Sequence, residues 1–276
     1  MSFDLTLPWP AADANKYSRG KLIVVAGSAR YPGAAALAAR AAQRMGAGYV
    51  EVITAKGAVD VVRAVAPSLV VRPFSDWGAD EIPASTEGRP CAVCIGPGFN
   101  GDKRDALVLD VLSHAACPVL VDGGGLRNLG SGVASAVLRE RTSPTVITPH
   151  AGEATRLAEP LMLTDSEPGK QAAGLALALN AVVALKGPDT FVSDGRRTEV
   201  MDAGTSALAK AGTGDVLAGM IAALLAQGVE PFSAAFTGSM LHALAGVAAA
   251  EMRTDISACP EDVVEAIPMA IKALGR

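Results

Sequence analysis

Residues 209–220 read AKAGTGDVLAGM. Gly212 and Gly214 flank Thr213, Asp215 follows at once, and a long apolar pattern begins. Glycines let a ligand come close to the backbone, and the amides that open a helix carry positive partial charge. Gly212, Thr213 and Gly214 therefore form a candidate anion hole for a phosphate. A carboxylate held beside a bound phosphate suits a general base acting on a hydroxyl, which points to Asp215. The same residues also read as a plain helix cap, since Thr and Asp often take that position. The stretch is not a Walker A loop, because no Gly-Lys-Ser/Thr occurs in the chain.

Four other stretches hold chemistry-bearing types. TPHAGEATRL (148–157) puts His150 and Glu153 where a strand pattern gives way to a helix pattern. His150 there suits ligand binding or proton transfer, or a partly buried histidine held by the helix start. LKGPDT (185–190) sets Lys186 at a strand end, in reach of a phosphate or as an ordinary surface lysine before a turn. AGSARYPGA (26–34) offers Ser28 and another glycine-opened helix start. GPGFNG (96–101) matches G-x-G-x-x-G, and Asp122 follows about twenty residues later, as a dinucleotide fingerprint asks. Pro97 inside the turn, the preceding strand–helix units and the polar helix after it argue instead for a glycine turn open to some other anion or ribose.

These stretches need a scaffold, and the pattern supplies one. Apolar runs at 21–27, 49–54, 68–74, 91–98, 117–124, 145–150 and 181–187 read as buried strands. Helical patterns at 33–48, 103–115, 131–140, 151–159 and 169–180 fall between them. Such alternation predicts a mostly parallel sheet covered on both faces, a three-layer α/β/α sandwich. Residues 189–202 read as a hairpin with an Asp-Gly turn, and 214–227, 231–251 and 260–274 as a helical C-terminal part. No linker divides residues 1–276, so one domain is expected. Ligands of open parallel sheets lie beyond the C-terminal strand ends, where the glycine turns, His150 and Lys186 fall.

The 276 residues are 50% hydrophobic and 19% charged, enough apolar content for a large core. A net charge of −4 and no Lys/Arg run argue against nucleic acid and anionic membrane partners. The first residues lack an apolar signal core, and runs such as 216–226 are too short to cross a bilayer, so a cytoplasmic location is expected. Cys91 and Cys94 form a C-x-x-C in a strand pattern, but Cys117 and Cys259 do not complete a zinc set, so buried strand cysteines are expected. Met45, Met220, Met240, Met252 and Met269 fall in helical patterns and read as core filling.

In this order, GKLIVVAGSARYPGAAALAARAAQRMGAGYVEV, GPG, TPHAGEATRL, ALKGPDTFVSDG and ALAKAGTGDVLAGMIAALLAQG resemble the ADP-dependent NAD(P)H-hydrate dehydratases of the ribokinase-like superfamily. The resemblance runs from about Lys16 to Lys272. It implies removal of water from the S hydrate of NADH or NADPH, with ADP as co-substrate leaving AMP and phosphate, and a magnesium ion shielding the transferring charge. By the same resemblance, Lys186, Gly187, Pro188, Asp189, Thr190 and Gly214 would hold the AMP portion. Ala34, Gly98, His150 and Asp215 would line the hydrate pocket, with Asp215 as base. A homotetramer and a separate NAD(P)H-hydrate epimerase as functional partner are also implied. No residue set for a bound metal is expected.

Two departures stand out. Relatives often read Asp-Ala-Asp-Ala-Leu where this chain has Asp122-Gly123-Gly124-Gly125-Leu126, so the second carboxylate is absent. Relatives also tend to carry an acid where Val247 follows His242-Ala-Leu-Ala-Gly246. Two alternatives share the anion hole: a kinase of the same superfamily acting on a vitamin precursor or sugar, and a nucleotide-binding sensor without turnover.

Overall fold

β-Branched and aliphatic residues fill the strand patterns on both faces, which suits strands covered on both sides. The computed structural model describes residues 5–101 and 104–275 and forms one nine-stranded sheet. In chain order the first strands are β1 (Lys21–Val25), β2 (Tyr49–Thr54), β3 (Val70–Pro73), β4 (Cys91–Ile95) and β5 (Val119–Val121). They are followed by β6 (Thr145–Ile147), β7 (Val182–Leu185), β8 (Thr190–Ser193) and β9 (Thr198–Met201). The sheet order is β3-β2-β1-β4-β5-β6-β7-β8-β9, parallel through β7 and antiparallel for the last two. The chain moves outward from β1 to β3 and then returns to the other side of β1 with β4. A crevice therefore opens between the ends of β1 and β4, the place where such sheets bind ligands.

Helices α1 (Pro32–Arg44), α2 (Val59–Val65), α7 (Thr213–Ala226), α8 (Pro231–Met252) and α9 (Pro260–Ala273) cover one face with Leu22, Val24 and Cys94. Helices α3 (Asp105–His114), α4 (Gly132–Glu140), α5 (Ala151–Ala158) and α6 (Pro168–Leu179) cover the other with Ile23, Val25 and Cys91. The strand period of two thus sends the two cysteines of C-x-x-C to opposite faces. The Cys91 thiol instead donates to Pro83 O (3.2 Å).

The expected elements are present, with shorter strands, because the glycine and polar strand ends peel into loops. The expected start at residue 103 lies outside the described residues. Helix α2 goes beyond the sequence reading: VDVVRAV is rich in β-branched residues and its helical state comes from packing Val59 and Val62 on the sheet. The hairpin corner falls one residue later than Asp-Gly, on Gly195 (φ +85°) and Arg196. Met45 and Met220 are buried, but Met252 and Met269 are about half exposed on the outer sides of their helices and fill no core. Helix α8 is long and apolar enough to cross a membrane, longer than the run singled out from the sequence, but most of it is buried inside the fold.

Candidate active site

The floor of the site is backbone. Beyond β1 and β4, Gly27 N donates to Pro97 O (2.8 Å) and Gly96 N to Val25 O (3.1 Å), so the two glycine turns are stitched together. Gly98 (φ +68°) lies against Ala34, and an added Cβ would come within 2.6 Å of the Ala34 Cβ. The two residues expected in the hydrate pocket therefore meet at the crevice. A Cβ on Gly124 would sit 2.4 Å from Phe99 O, so the carboxylate missing at this position has no room while the 96–101 turn packs as it does. The dinucleotide fingerprint does not hold: α3 opens well past the glycines, and Asp122 faces a lysine.

Asp122 is the electrostatic centre. It leaves the end of β5 and is 3% exposed. Its Oδ1 accepts from Thr148 Oγ1 (2.6 Å) and Lys186 Nζ (2.7 Å), joining the ends of β5, β6 and β7. Burial alone would push Lys186 down, but Asp122, with Glu153 and Asp215, outweighs it and raises the ammonium pKa. The lysine therefore stays charged inside the site, which rules out an ordinary surface lysine.

The opening of α7 speaks against the plain side-chain cap. Its N-cap is Gly212 (φ +102°), with no side-chain cap. Thr213 Oγ1 donates backwards to Leu208 O (2.7 Å) and Lys210 O (2.8 Å), and Thr213 N to Lys210 O (3.3 Å). Thr213 thus shapes the turn and does not present its hydroxyl to a ligand. Among the described hydrogen bonds, none engages the amides of Gly214 and Asp215, and a Cβ on Gly214 would lie 3.5 Å from Lys186 Nζ. Asp215 is pushed up to about 7, first by burial, then by the Asp122 carboxylate, with Lys186 partly offsetting both. A carboxylate titrating there is a base poised for neutral pH.

His150 caps α5: Nδ1 accepts from Gly152 N (3.1 Å) and Glu153 N (3.3 Å), while Glu153 Oε2 accepts from His150 N (2.9 Å). With Nδ1 accepting, the neutral ring carries its proton on the exposed Nε2, so capping leaves one donor facing outward.

A cleft of about 620 Å³ adjoins this centre. Lys186, Gly187, Pro188, Thr190 and Gly214 line it, but Asp189 is exposed and outside its wall. Sequence reasoning passed over Thr205, Ser206 and Leu208 on its rim, and met His242, in its wall, only as the first residue of the stretch that ends in Val247. His242 is 8% exposed, its Nε2 has no partner, and burial pushes the ring down to about 4. No local signal marks Thr205, Ser206 and Leu208; the fold brings them in from the loop before α7, and His242 from α8. A second cleft of about 330 Å³, also unexpected, is lined by Gly123, Gly124, Leu126, Arg127, Glu153, Arg156 and Leu157.

With this geometry in view, comparison with known proteins is direct. A family model described as NAD(P)H-hydrate dehydratase matches residues 22–269. An ADP-dependent (S)-NAD(P)H-hydrate dehydratase of Xanthomonas campestris is 32% identical over 98% of this chain and 94% of its own length. A bifunctional NAD(P)H-hydrate repair enzyme of Gloeobacter violaceus is 40% identical over 85% of the chain, but the match covers only 46% of that protein, about half its length. The crystal structure of the ADP/ATP-dependent NAD(P)H-hydrate dehydratase of Bacillus subtilis, co-crystallized with ATP and Mg2+, superposes with a TM-score of 0.84 at 28% identity, covering 97% of this chain and 94% of that one. The expected ribokinase-like α/β fold is thereby met. Glycine floor, buried Asp122–Lys186 pair and α7 opening all lie inside the matched span, and the chain belongs to the NAD(P)H-hydrate dehydratase family.

Proposed function

We propose that this protein dehydrates the S hydrate of NADH or NADPH at the expense of ADP. The observation that carries the reading is the meeting of Asp215, the Gly214 amide and Lys186 between the 620 Å³ cleft and the glycine crevice. The cleft takes the nucleotide, with Lys186 and the free amides at its phosphates. The crevice at Ala34 and Gly98 takes the hydrated ring. Asp215 removes the proton of the ring hydroxyl, whose oxygen attacks the terminal phosphorus as the bond to AMP breaks. The ring nitrogen then pushes phosphate off the carbon, and the neighbouring carbon loses a proton. The chemistry needs this detour because hydroxide is a poor leaving group and phosphate a good one.

A magnesium ion fits as a companion of the nucleotide. Among the described residues no three His, Cys, Asp or Glu side chains gather to hold a metal alone, and Mg2+ is commonly held through substrate phosphates. Bound there, it would neutralise phosphate charge.

The test is incubation of hydrated NADH with ADP or ATP, following the return of dihydronicotinamide absorbance. Wild-type protein restores it and Asp215→Asn does not, while the variant still binds ADP. Failure of wild type with both nucleotides would sink the reading. Phosphorylation of a vitamin precursor or sugar would make the protein a kinase, and nucleotide binding without any turnover a sensor.

A further inference from the structure

The 330 Å³ cleft plays no part in the chemistry above. It lies against the reaction centre: Gly123 and Gly124 follow Asp122 directly, and Glu153 belongs to the His150 cap. Arg127 and Arg156, both exposed, line it. Glu153, the carboxylate among the described lining residues, already accepts from His150 N and lies 3.6 Å from His150 Nε2. Gly124 adds no acid, because the Phe99 backbone fills the space its side chain would need. Among the described residues that line it, two arginines thus stand beside one carboxylate that is already engaged.

We propose that this cleft is the subsite for the ribose 2′-phosphate of the hydrated dinucleotide, so that the protein prefers the NADPH hydrate to the NADH hydrate. The proposal rests on the reading of the crevice as the place of the hydrated ring. Arginine suits this task, since its planar fork pairs with phosphate oxygens, and an arginine near the ribose is a general device for accepting a 2′-phosphate. Position fits as well. Arg156 lies six residues beyond His150 on α5, about 9 Å along the helix, so it is set back from the reacting ring. A dinucleotide whose ring lies at Gly98 and His150 can run its far ribose along that helix.

The test measures binding of NADP+ and NAD+, which carry no hydrate, by calorimetry in wild type, Arg156→Gln and Arg127→Gln, with melting curves as a check on folding. Wild type is expected to bind NADP+ more tightly than NAD+. Arg156→Gln is expected to weaken NADP+ about tenfold and NAD+ less than twofold, as loss of one charge-assisted contact predicts. Equal losses for both ligands would place the diphosphate there and overturn the proposal. Equal affinities in wild type, or no change on substitution, would overturn it too. A contrast that persists without turnover of either hydrate would leave the subsite standing and remove the dehydratase reading. Turnover of both hydrates with equal efficiency and no binding contrast would do the reverse.

Discussion

Asp215 holds its proton to about pH 7 because its surroundings oppose charge, burial first and Asp122 second. Turnover should therefore fall on the acid side with an apparent pKa near 7. Asp122→Asn should move that limb to lower pH, readable in the pH profile of kcat/KM with ADP saturating. The stability effect has a definite sign. An acid whose folded pKa is raised, here from 3.8 to about 7, costs the fold nothing below the lower value and progressively more up to the upper one. Asp215→Asn should thus raise the melting temperature above pH 7, with the gain closing as pH falls toward 3.8. Asp215, His150 and Lys186 stood out in the sequence because each sits within two residues of a glycine at a strand or helix end. The role of Asp122 was not. Its partner is 64 residues away, and only the order β5-β6-β7 brings Asp122, Thr148 and Lys186 to one point.

At the scale of elements, α7 depends on close approach to α1. Seven of the thirteen residues of α1 are buried alanines, and a Cβ on Gly219 of α7 would sit 2.1 Å from Ala38 O. Gly219→Ala should therefore force the two helices apart, against its favourable helix propensity, and cost about 1–3 kcal/mol, checked by denaturant titration. Activity should fall with it, since α7 carries Asp215. Strand and helix periods made most elements legible. Helix α2 escaped because its β-branched run has no strong local preference, and tertiary packing decided it. Met252 and Met269 were misplaced because residue type says nothing of which side of a helix faces out.

Across the whole molecule, the strand starts are tied at the end opposite the site. The Arg141 guanidinium donates to the carbonyls of Leu112, Ala115 (3.2 Å) and Cys117 (3.0 Å) and to Thr145 Oγ1 (3.2 Å), linking α3 to the entries of β5 and β6. Arg141→Met would leave these acceptors unpaired and should cost about 3 kcal/mol or more, seen as a lower melting temperature. Per-molecule turnover of the folded fraction should stay near wild type, since Arg141 lies at the far end of the strands. The three-layer architecture was legible in the sequence because a doubly covered parallel sheet needs apolar strands and alternating helices. The position of β4 beside β1, which opens the crevice, was not, because strand order leaves no mark on local pattern.

Helix α7 is buried from Val216 to Ala226, and it meets the site through its N-terminal end, Thr213 to Leu217. The acid proposed as the base and the amides proposed to face phosphate thus belong to a deeply set helix of the fold and not to a loop that can loosen by itself. Heat inactivation should then coincide with global melting. In a cell, the protein would persist either as a competent repair enzyme or as an unfolded chain ready for proteolysis, with little standing pool of folded but idle molecules between them.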